Sequence, residues 1–272
     1  MVRLALIIRS QCVSNNGSYT SSIIPKDKCG YAIPSITSGG RIVSGEDVEG
    51  TKENGKIVHG HPWMARLSKT IQAKSTYCGG TIISKRHILT AAHCMVICKR
   101  RKKCTPGYVS CKIGGIVCKH RGLEWAVLGD HDRRTWNEGE IYAKIKYFTV
   151  HPKMNQPLAP DGSFEYDFAV VGLRKCIDFT SNIQPICLPN NTTATYEGKN
   201  VTVIGWGHQR YREDKHELAG KHPHILKYIT IKVFSNAWCK KQSSSFNPSY
   251  LMCAGDPIKW EKDACQDDSG GS

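Results

Sequence analysis

Residues 90–94 read TAAHC, and they follow an apolar run, His87–Thr90, that has the composition of a short β-strand. The motif places His93 among small side chains at the end of that run. Histidine is the side chain used most often for general acid–base catalysis, because its pKa lies near neutral pH. Since the chain has eleven histidines and most histidines are structural, a catalytic assignment of His93 requires partner groups elsewhere.

Two other segments carry such partner groups. The sequence YDFAV, residues 166–170, opens an apolar run with Asp167, and DSGG, residues 268–271, contains Ser269. Peptide hydrolysis by serine needs a hydroxyl beside a base, a carboxylate that orients the base, and N–H donors for the oxyanion. The chain therefore offers a base, a carboxylate and a nucleophile in the order His93, Asp167, Ser269.

In their order and their local sequences, these segments resemble the histidine, aspartate and serine motifs of the chymotrypsin/trypsin family of serine proteases. The resemblance covers residues 29–272. Further matching segments are RIVSG at 41–45, HPW at 61–63, CGG at 78–80, PICLP at 185–189, GWG at 205–207 and MCAG at 252–255. The resemblance implies an all-β fold of two packed antiparallel β-barrels.

Composition and periodicity independently favour an all-β protein. The 25 glycines and 12 prolines indicate many turns, and no sustained helical period competes with the short β-rich runs. The predicted runs are Thr81–Ile83, His87–Thr90, Ile141–Val150, Phe168–Leu173, Val201–Ile204 and Leu226–Phe234.

The domain organisation follows from spacing and composition. We expect a polar leader at residues 1–41 and a protease domain at 42–272. His93 and Asp167 are 74 positions apart, against about 45 in the type case. The excess matches a basic, cysteine-rich segment at residues 95–122, which we interpret as a loop insertion beside the active site. Its four cysteines fit no zinc pattern and suit two local disulfides, for which three connectivities are possible: Cys98, Cys104, Cys111 and Cys118.

The resemblance also implies catalytic roles. Ser269 would attack the scissile carbonyl, His93 would accept and return the proton, and Asp167 would hold the imidazole tautomer. The backbone N–H groups of Asp267 and Ser269 would form the oxyanion hole. Asp263 matches the base of the primary specificity pocket, which predicts cleavage of protein or peptide substrates after Arg or Lys.

Zymogen activation is a further implication of the resemblance. Cleavage after Arg41 would create a new N-terminus at Ile42, whose ammonium would insert beside Asp268 and order the oxyanion hole. A bond after arginine requires an arginine-specific enzyme, so we expect either a related upstream protease or self-cleavage.

Thirteen cysteines without a CxxC pair favour disulfides and an extracellular location. The resemblance implies the pairs Cys29–Cys187, Cys78–Cys94 and Cys239–Cys253. Cys12 and Cys176 are left to pair with each other or with the insertion, and Cys265 lacks its family partner. Glycosylation acceptors agree weakly with secretion: Asn16, Asn190, Asn191 and Asn200. The sequence has no run of 18 apolar residues, so it predicts no membrane span.

Two departures from the family pattern bear on the expected activity. Asp267 stands where the family has glycine, and a carboxylate there would repel the developing oxyanion. The chain also ends at Ser272, before the strands that close the second barrel, so we expect an incomplete second barrel and an inactive or unstable fragment. Asp267 and the basic insertion suggest an alternative function, a non-catalytic protease homologue that acts as a binding or regulatory protein.

Two features suggest ligands other than substrate. The net charge of +15 is concentrated partly in residues 99–103, which form either a solvated loop or a site for glycosaminoglycan; nucleic acid is the poorer partner. The loop from Gly129 through Asp130 and Asp132 to Glu138 and Glu140 offers carboxylates for calcium. We otherwise expect no metal and no required cofactor.

Overall fold

A computed structural model provides the structure of the protein. It describes residues 11–13, 19–21, 29–30, 46–47, 50–53, 56–71, 78–100, 116–135, 139–155, 166–189, 195–207, 210–212, 217–219, 223–244 and 246–256.

These residues form many short strands and few helices. In chain order the strands are β1 (Gln11–Val13), β2 (Tyr19–Ser21), β3 (Glu46–Asp47), β4 (Gly50–Glu53), β5 (Lys56–His59), β6 (Met64–Ser68), β7 (Cys78–Ser84), β8 (His87–Thr90), β9 (Val96–Arg100), β10 (Ile116–His120), β11 (Trp125–Leu128), β12 (Ile141–Val150), β13 (Ala169–Leu173), β14 (Asn200–Gly205), β15 (Arg210–Arg212), β16 (Glu217–Ala219), β17 (Lys227–Val233) and β18 (Ala254–Gly255). The helices are α1 (Ala92–Met95), α2 (Asn236–Gln242) and a 3-10 turn at Pro152–Asn155. The all-β prediction is confirmed.

Six antiparallel strands close into a barrel in the order β11, β12, β13, β8, β7, β6, with β6 paired back to β11. Strands β7 and β13 are buried along their whole length, and β13 has no polar side chain. Close packing requires a small residue at Gly80, where an added Cβ would lie 2.7 Å from the Cγ2 atom of Ile88. The barrel core includes Leu67, Ile82, Ile88, Leu128 and Leu173.

A four-stranded sheet combines three strands of the second half of the chain with β3, which precedes the barrel. Strand β17 pairs with β14, β18 and β3. Along β17 buried residues alternate with exposed ones, as expected for a strand with one face on a core, and Ile229 and Ile231 point inward. Strand β17 lies within the predicted β-rich run Leu226–Phe234.

The barrel and the second sheet share an apolar cluster. It joins Met64 of β6 to Ile204, Trp206 and Leu226, with Trp63 and Tyr228 packed against it. The two halves are therefore held together by hydrophobic contact as well as by chain connection.

The predicted insertion begins within α1, the helix that carries His93. Its described parts form an antiparallel hairpin of β9 and β10, whose register places Cys98 opposite Cys118. Cys104 and Cys111 lie outside the described residues. Neither α1 nor α2 has the length and apolarity of a bilayer-spanning helix, and the described residues contain no other candidate.

Candidate active site

His93 is positioned by the end of a barrel strand and a disulfide. Strand β8 ends at Thr90, whose hydroxyl donates a hydrogen bond to the carbonyl of Gly79 over 2.8 Å. Helix α1 begins two residues later and contains His93, and the next residue, Cys94, is bonded to Cys78 of β7. The small residues of TAAHC thus permit a tight turn between a strand and a one-turn helix against the barrel.

Asp167 reaches the same end of the barrel because β13 pairs with β8. In that pairing Ala169 lies opposite Thr90, so the residues just outside each strand are neighbours. One Asp167 oxygen accepts a hydrogen bond from the backbone N–H of His93 over 2.7 Å. The other lies 2.6 Å from Nδ1 of the His93 ring.

This geometry fixes the tautomer of the imidazole. An ionised carboxylate only accepts hydrogen bonds, so Nδ1 carries the proton and Nε2 carries the lone pair. Both side chains are partly accessible, at 29% for His93 and 24% for Asp167. The pair can therefore take a proton at Nε2, which lies 3.8 Å from the Cys94 Sγ atom.

The backbone before Asp167 is held by stacked rings. Tyr166 has a φ of 54°, a left-handed conformation that is unfavourable for a bulky residue. Its ring stacks on His151 at 4.8 Å and 9°, and it also contacts Tyr250 of the second half at 4.8 Å. The Phe168 N–H donates to the Tyr166 carbonyl over 2.8 Å, which closes a tight turn around Asp167. The rings stabilise the strained turn that presents the carboxylate.

Arg121 also contacts the histidine segment. Its Nε donates a hydrogen bond to the His93 carbonyl over 2.7 Å, and its backbone N–H donates to the Met95 carbonyl over 2.9 Å. The end of the insertion is thus attached to the helical turn of His93. Arg121 was not among the predicted site residues, and its position at the end of the basic insertion is the only sequence signal for it.

Comparison with known proteins identifies the family. The family model described as Trypsin matches residues 51–272. The chain belongs to the trypsin family.

Individual trypsin-family relatives agree with this assignment. A venom serine protease of Polistes dominula is 30% identical over 90% of this chain and 72% of its own length. CLIP domain-containing serine protease B9 of Anopheles gambiae is 30% identical over 90% of this chain, which spans only 55% of that relative. The solved structure of GrC is similar in fold, with a TM-score of 0.58 at 23% identity, covering 84% of this chain and 81% of that one. The predicted trypsin-like fold is confirmed.

Three disulfides of the structure join the pairs that the family resemblance implies. They are Cys29–Cys187, Cys78–Cys94 and Cys239–Cys253, with Cα atoms 5.1, 6.0 and 6.3 Å apart. Cys176 is also disulfide-bonded.

The remaining predicted site residues lie outside the part of the chain that the structure describes. They are Arg41 and Ile42 of the activation site, Asp263 of the specificity pocket, and Asp267, Asp268 and Ser269 of the nucleophile segment. The described half of the candidate trypsin-family site is therefore the His93–Asp167 pair.

The loop considered for calcium does not fit a metal site. Asp130 is buried and faces the guanidinium of Arg66, with Nη2 at 2.7 Å and Nε at 2.8 Å from one carboxylate oxygen. Asp132 faces Arg134 at 3.0 Å. Burial acts to raise the pKa of Asp132, but the hydrogen bonds and charge of Arg134 outweigh it and leave that pKa lowered. Both carboxylates already have cationic partners; Glu138 lies outside the described residues.

The same loop connects the two halves of the molecule. The Leu226 N–H donates to the His131 carbonyl over 2.9 Å, and the Arg133 guanidinium donates to the Pro223 carbonyl over 2.7 Å. Residues 130–133 are all buried. Its polar residues therefore form hydrogen bonds that connect the barrel to the second sheet.

Among the described residues, one group of three ligand atoms lies close enough together to hold a metal ion: Cys78, His93 and Cys94. The two sulfurs are bonded to each other, whereas metal binding requires thiolates. This group does not fit a metal.

Proposed function

We propose that this protein is a secreted serine endopeptidase, made as a zymogen, that hydrolyses peptide bonds after Arg or Lys. The observation that carries the proposal is the His93–Asp167 pair, in which both carboxylate oxygens are engaged by one histidine residue at 2.6 and 2.7 Å. A carboxylate in this arrangement orients the ring and stabilises the imidazolium that forms when the ring takes a proton.

In the proposed reaction Ser269 Oγ attacks the scissile carbonyl carbon and its proton moves to Nε2 of His93. The imidazolium is stabilised by Asp167 and then returns the proton to the leaving amine, which leaves an acyl-enzyme. Water repeats the cycle and releases the acid product. The backbone N–H groups of Asp267 and Ser269 donate to the oxyanion in both tetrahedral intermediates.

Specificity and activation are assigned to residues outside the described part. Asp263 would pair with the cationic side chain of the substrate, and its exchange for serine should sharply reduce cleavage after Arg. Cleavage after Arg41, by an upstream protease or by self-cleavage, would place the Ile42 ammonium beside Asp268. The disulfide Cys29–Cys187 would then keep the leader attached to the barrel.

Other ligands are secondary to this proposal. Substrates are proteins or peptides, and the basic run at 99–103 is proposed to attract glycosaminoglycan. Calcium is given no role, because Asp130 and Asp132 are paired with arginines.

A second candidate function rests on Asp267. A carboxylate beside the oxyanion site would weaken charge stabilisation, and loss of one oxyanion donor costs about 10² to 10³ in rate. In this candidate the protein is a non-catalytic homologue that binds or regulates a partner.

Active-site labelling separates the two candidates. The full-length protein, cleaved after Arg41, is treated with a fluorophosphonate probe, and the labelled peptide is identified by mass spectrometry. We expect labelling of Ser269, loss of labelling in Ser269→Ala and strong reduction in His93→Ala. A folded, cleaved protein without label at Ser269 would refute the enzyme and support the binding homologue. In Asp267→Gly we expect faster labelling than in the natural sequence.

A further inference from the structure

An open groove of about 670 Å³ runs along the outside of the barrel, where β12 lies beside the segment that follows β13. We call it the basic groove and define it by six residues. They are Trp125, Tyr142, Lys144, Lys146, Arg174 and Lys175; all but Lys146 line the groove directly. It is distinct from the His93–Asp167 pair, which shares none of these residues.

The cations of the groove are exposed and close together in the fold. Lys144 and Lys146 are exposed residues two positions apart on β12, and the sheet register shifts at Lys146. The Arg174 N–H donates to the Lys144 carbonyl over 2.8 Å, which holds Arg174 and Lys175, the two residues that follow β13, beside Lys144. Three cations, Lys144, Arg174 and Lys175, thus line one groove, and Lys146 lies two positions from Lys144 on β12.

The turn between β7 and β8 extends this basic surface. The backbone N–H groups of Leu173 and Ile177 donate to the carbonyls of Arg86 and Lys85, each over 2.9 Å. The Lys85 ammonium lies 5.6 Å from the centre of the Phe179 ring. This turn brings two more cations beside the residues that follow β13.

Few acidic groups neutralise this surface. Lys144 lies 3.7 Å from Glu124, an exposed carboxylate, and Asp178 lines the groove. Lys146, Arg174 and Lys175 form no ion pair with any residue that the structure describes. Clustered like charges repel each other, so an anionic ligand that replaces the counterions gains free energy on binding.

Aromatic rings form the other wall. The Lys144 ammonium lies 5.2 Å from the centre of the Trp125 ring, and Tyr142 is partly exposed beside them. A polysaccharide carries anionic groups at regular intervals and presents apolar C–H faces between them. A single small anion would find no buried cation here, since the four groove cations are all exposed. The combination therefore favours an extended, sulfated sugar chain.

We propose that the basic groove binds a sulfated polysaccharide of the glycosaminoglycan type, which would retain the protein on an extracellular surface. The site is formed by the folded barrel and differs from the basic run at residues 99–103. It does not depend on catalysis.

Heparin binding to the full-length protein tests the proposal. Affinity is measured by titration at several salt concentrations in the natural sequence and in the double variant Arg174→Gln/Lys175→Gln. We expect this variant to bind about tenfold more weakly at physiological salt, and the slope of log K against log salt to fall by about 2. Trp125→Leu should weaken binding severalfold without changing the slope, because it removes a ring and no charge.

The matched control is Lys240→Gln/Lys241→Gln, which removes two adjacent exposed cations from the last turn of α2. It changes net charge equally and should change the affinity less than twofold. Thermal melting by circular dichroism verifies that each variant is folded.

Four outcomes would overturn the proposal. In the first, Arg174→Gln/Lys175→Gln binds heparin as well as the control variant does. In the second, affinity for heparin is lost only in Lys102→Gln/Lys103→Gln, a variant of the basic run at 99–103. Equal binding of polyglutamate, with the same dependence on Arg174 and Lys175, would assign the groove to an acidic protein segment instead. Desulfated heparin should bind much more weakly than heparin, and equal affinity would also contradict a sulfate site.

Discussion

Two side chains bind the backbone of His93, one at its N–H group and one at its carbonyl. Asp167 accepts from its N–H, and Arg121 donates to its carbonyl. Because the backbone is fixed in this way, the ring keeps the orientation in which Nδ1 contacts the Asp167 carboxylate. General-base catalysis depends on that orientation.

Asp167→Asn tests the orientation directly. The amide can donate to Nδ1, which would place the proton on Nε2 and remove the lone pair that accepts the serine proton. We expect kcat to fall by about 10⁴ with little change in KM. Steady-state hydrolysis of an arginyl peptide measures this, with the exposed Asp178→Asn as control. A loss below about tenfold would exclude Asp167 as the orienting carboxylate.

Arg121→Gln tests a positioning role. Removal of the guanidinium frees the His93 carbonyl, so we expect kcat to fall about tenfold at constant KM, and Arg121→Lys to restore part of the rate. Arg134→Gln is the control, since Arg134 is also an exposed arginine with a hydrogen-bonded partner. Equal effects of Arg121→Gln and Arg134→Gln on kcat would show that Arg121 has no specific role.

At the scale of single elements, the loop after β11 connects the barrel to the second sheet. Its carboxylates differ in their surroundings. Asp130 and Arg66 are both buried, at 5% and 4% exposure, whereas Arg134 beside Asp132 is 60% exposed. Removing one partner of a buried pair leaves an uncompensated charge, while an exposed pair contributes little.

Asp130→Asn should therefore lower the free energy of unfolding by about 3 to 5 kcal/mol. Asp132→Asn should change it by about 1 kcal/mol or less. Urea unfolding measures both, and we expect added calcium or a chelator to leave the midpoint of the natural sequence unchanged. A calcium-dependent midpoint that Asp130→Asn abolishes would restore the calcium interpretation of this loop.

At the scale of the whole molecule, His61 lies where the barrel meets the second sheet. Its ring is 5.7 Å from that of Trp63 and 5.8 Å from that of Tyr228 on β17. Burial lowers the pKa of His61 to about 4. Between about pH 4 and pH 6.5, His61 therefore stays neutral in the folded protein, whereas in the unfolded chain, where its pKa is about 6.5, it takes up a proton.

Above pH 6.5 or so, neither state protonates His61 and its contribution to pH dependence vanishes. As the pH falls toward about 4, the unfolded state binds a proton that the folded state does not, so the free energy of unfolding decreases by about 3 kcal/mol. In His61→Phe this part of the decrease should disappear. The midpoint of urea unfolding, determined at several pH values between neutral and acidic, measures this loss of stability. The control is His120→Gln, at an exposed histidine. An unchanged pH profile in His61→Phe would show that another group causes the acid sensitivity.

The sequence by itself determined the family and the identity of the candidate catalytic residues. TAAHC and YDFAV are local motifs, and strands β8, β12 and β13 follow from apolar runs that their own residues define. Strands β6 and β11 were not predicted; each is short, at five and four residues, and their pairing with each other closes the barrel.

Only the tertiary structure decided which distant residues became partners. Arg66 is 64 positions from Asp130, and Arg121 is 28 positions from His93, so no local sequence pattern predicts either contact. The basic groove likewise arises because barrel closure brings Lys144 beside Arg174. Sequence motifs report what a residue can do chemically, whereas strand register and burial select the groups that it meets.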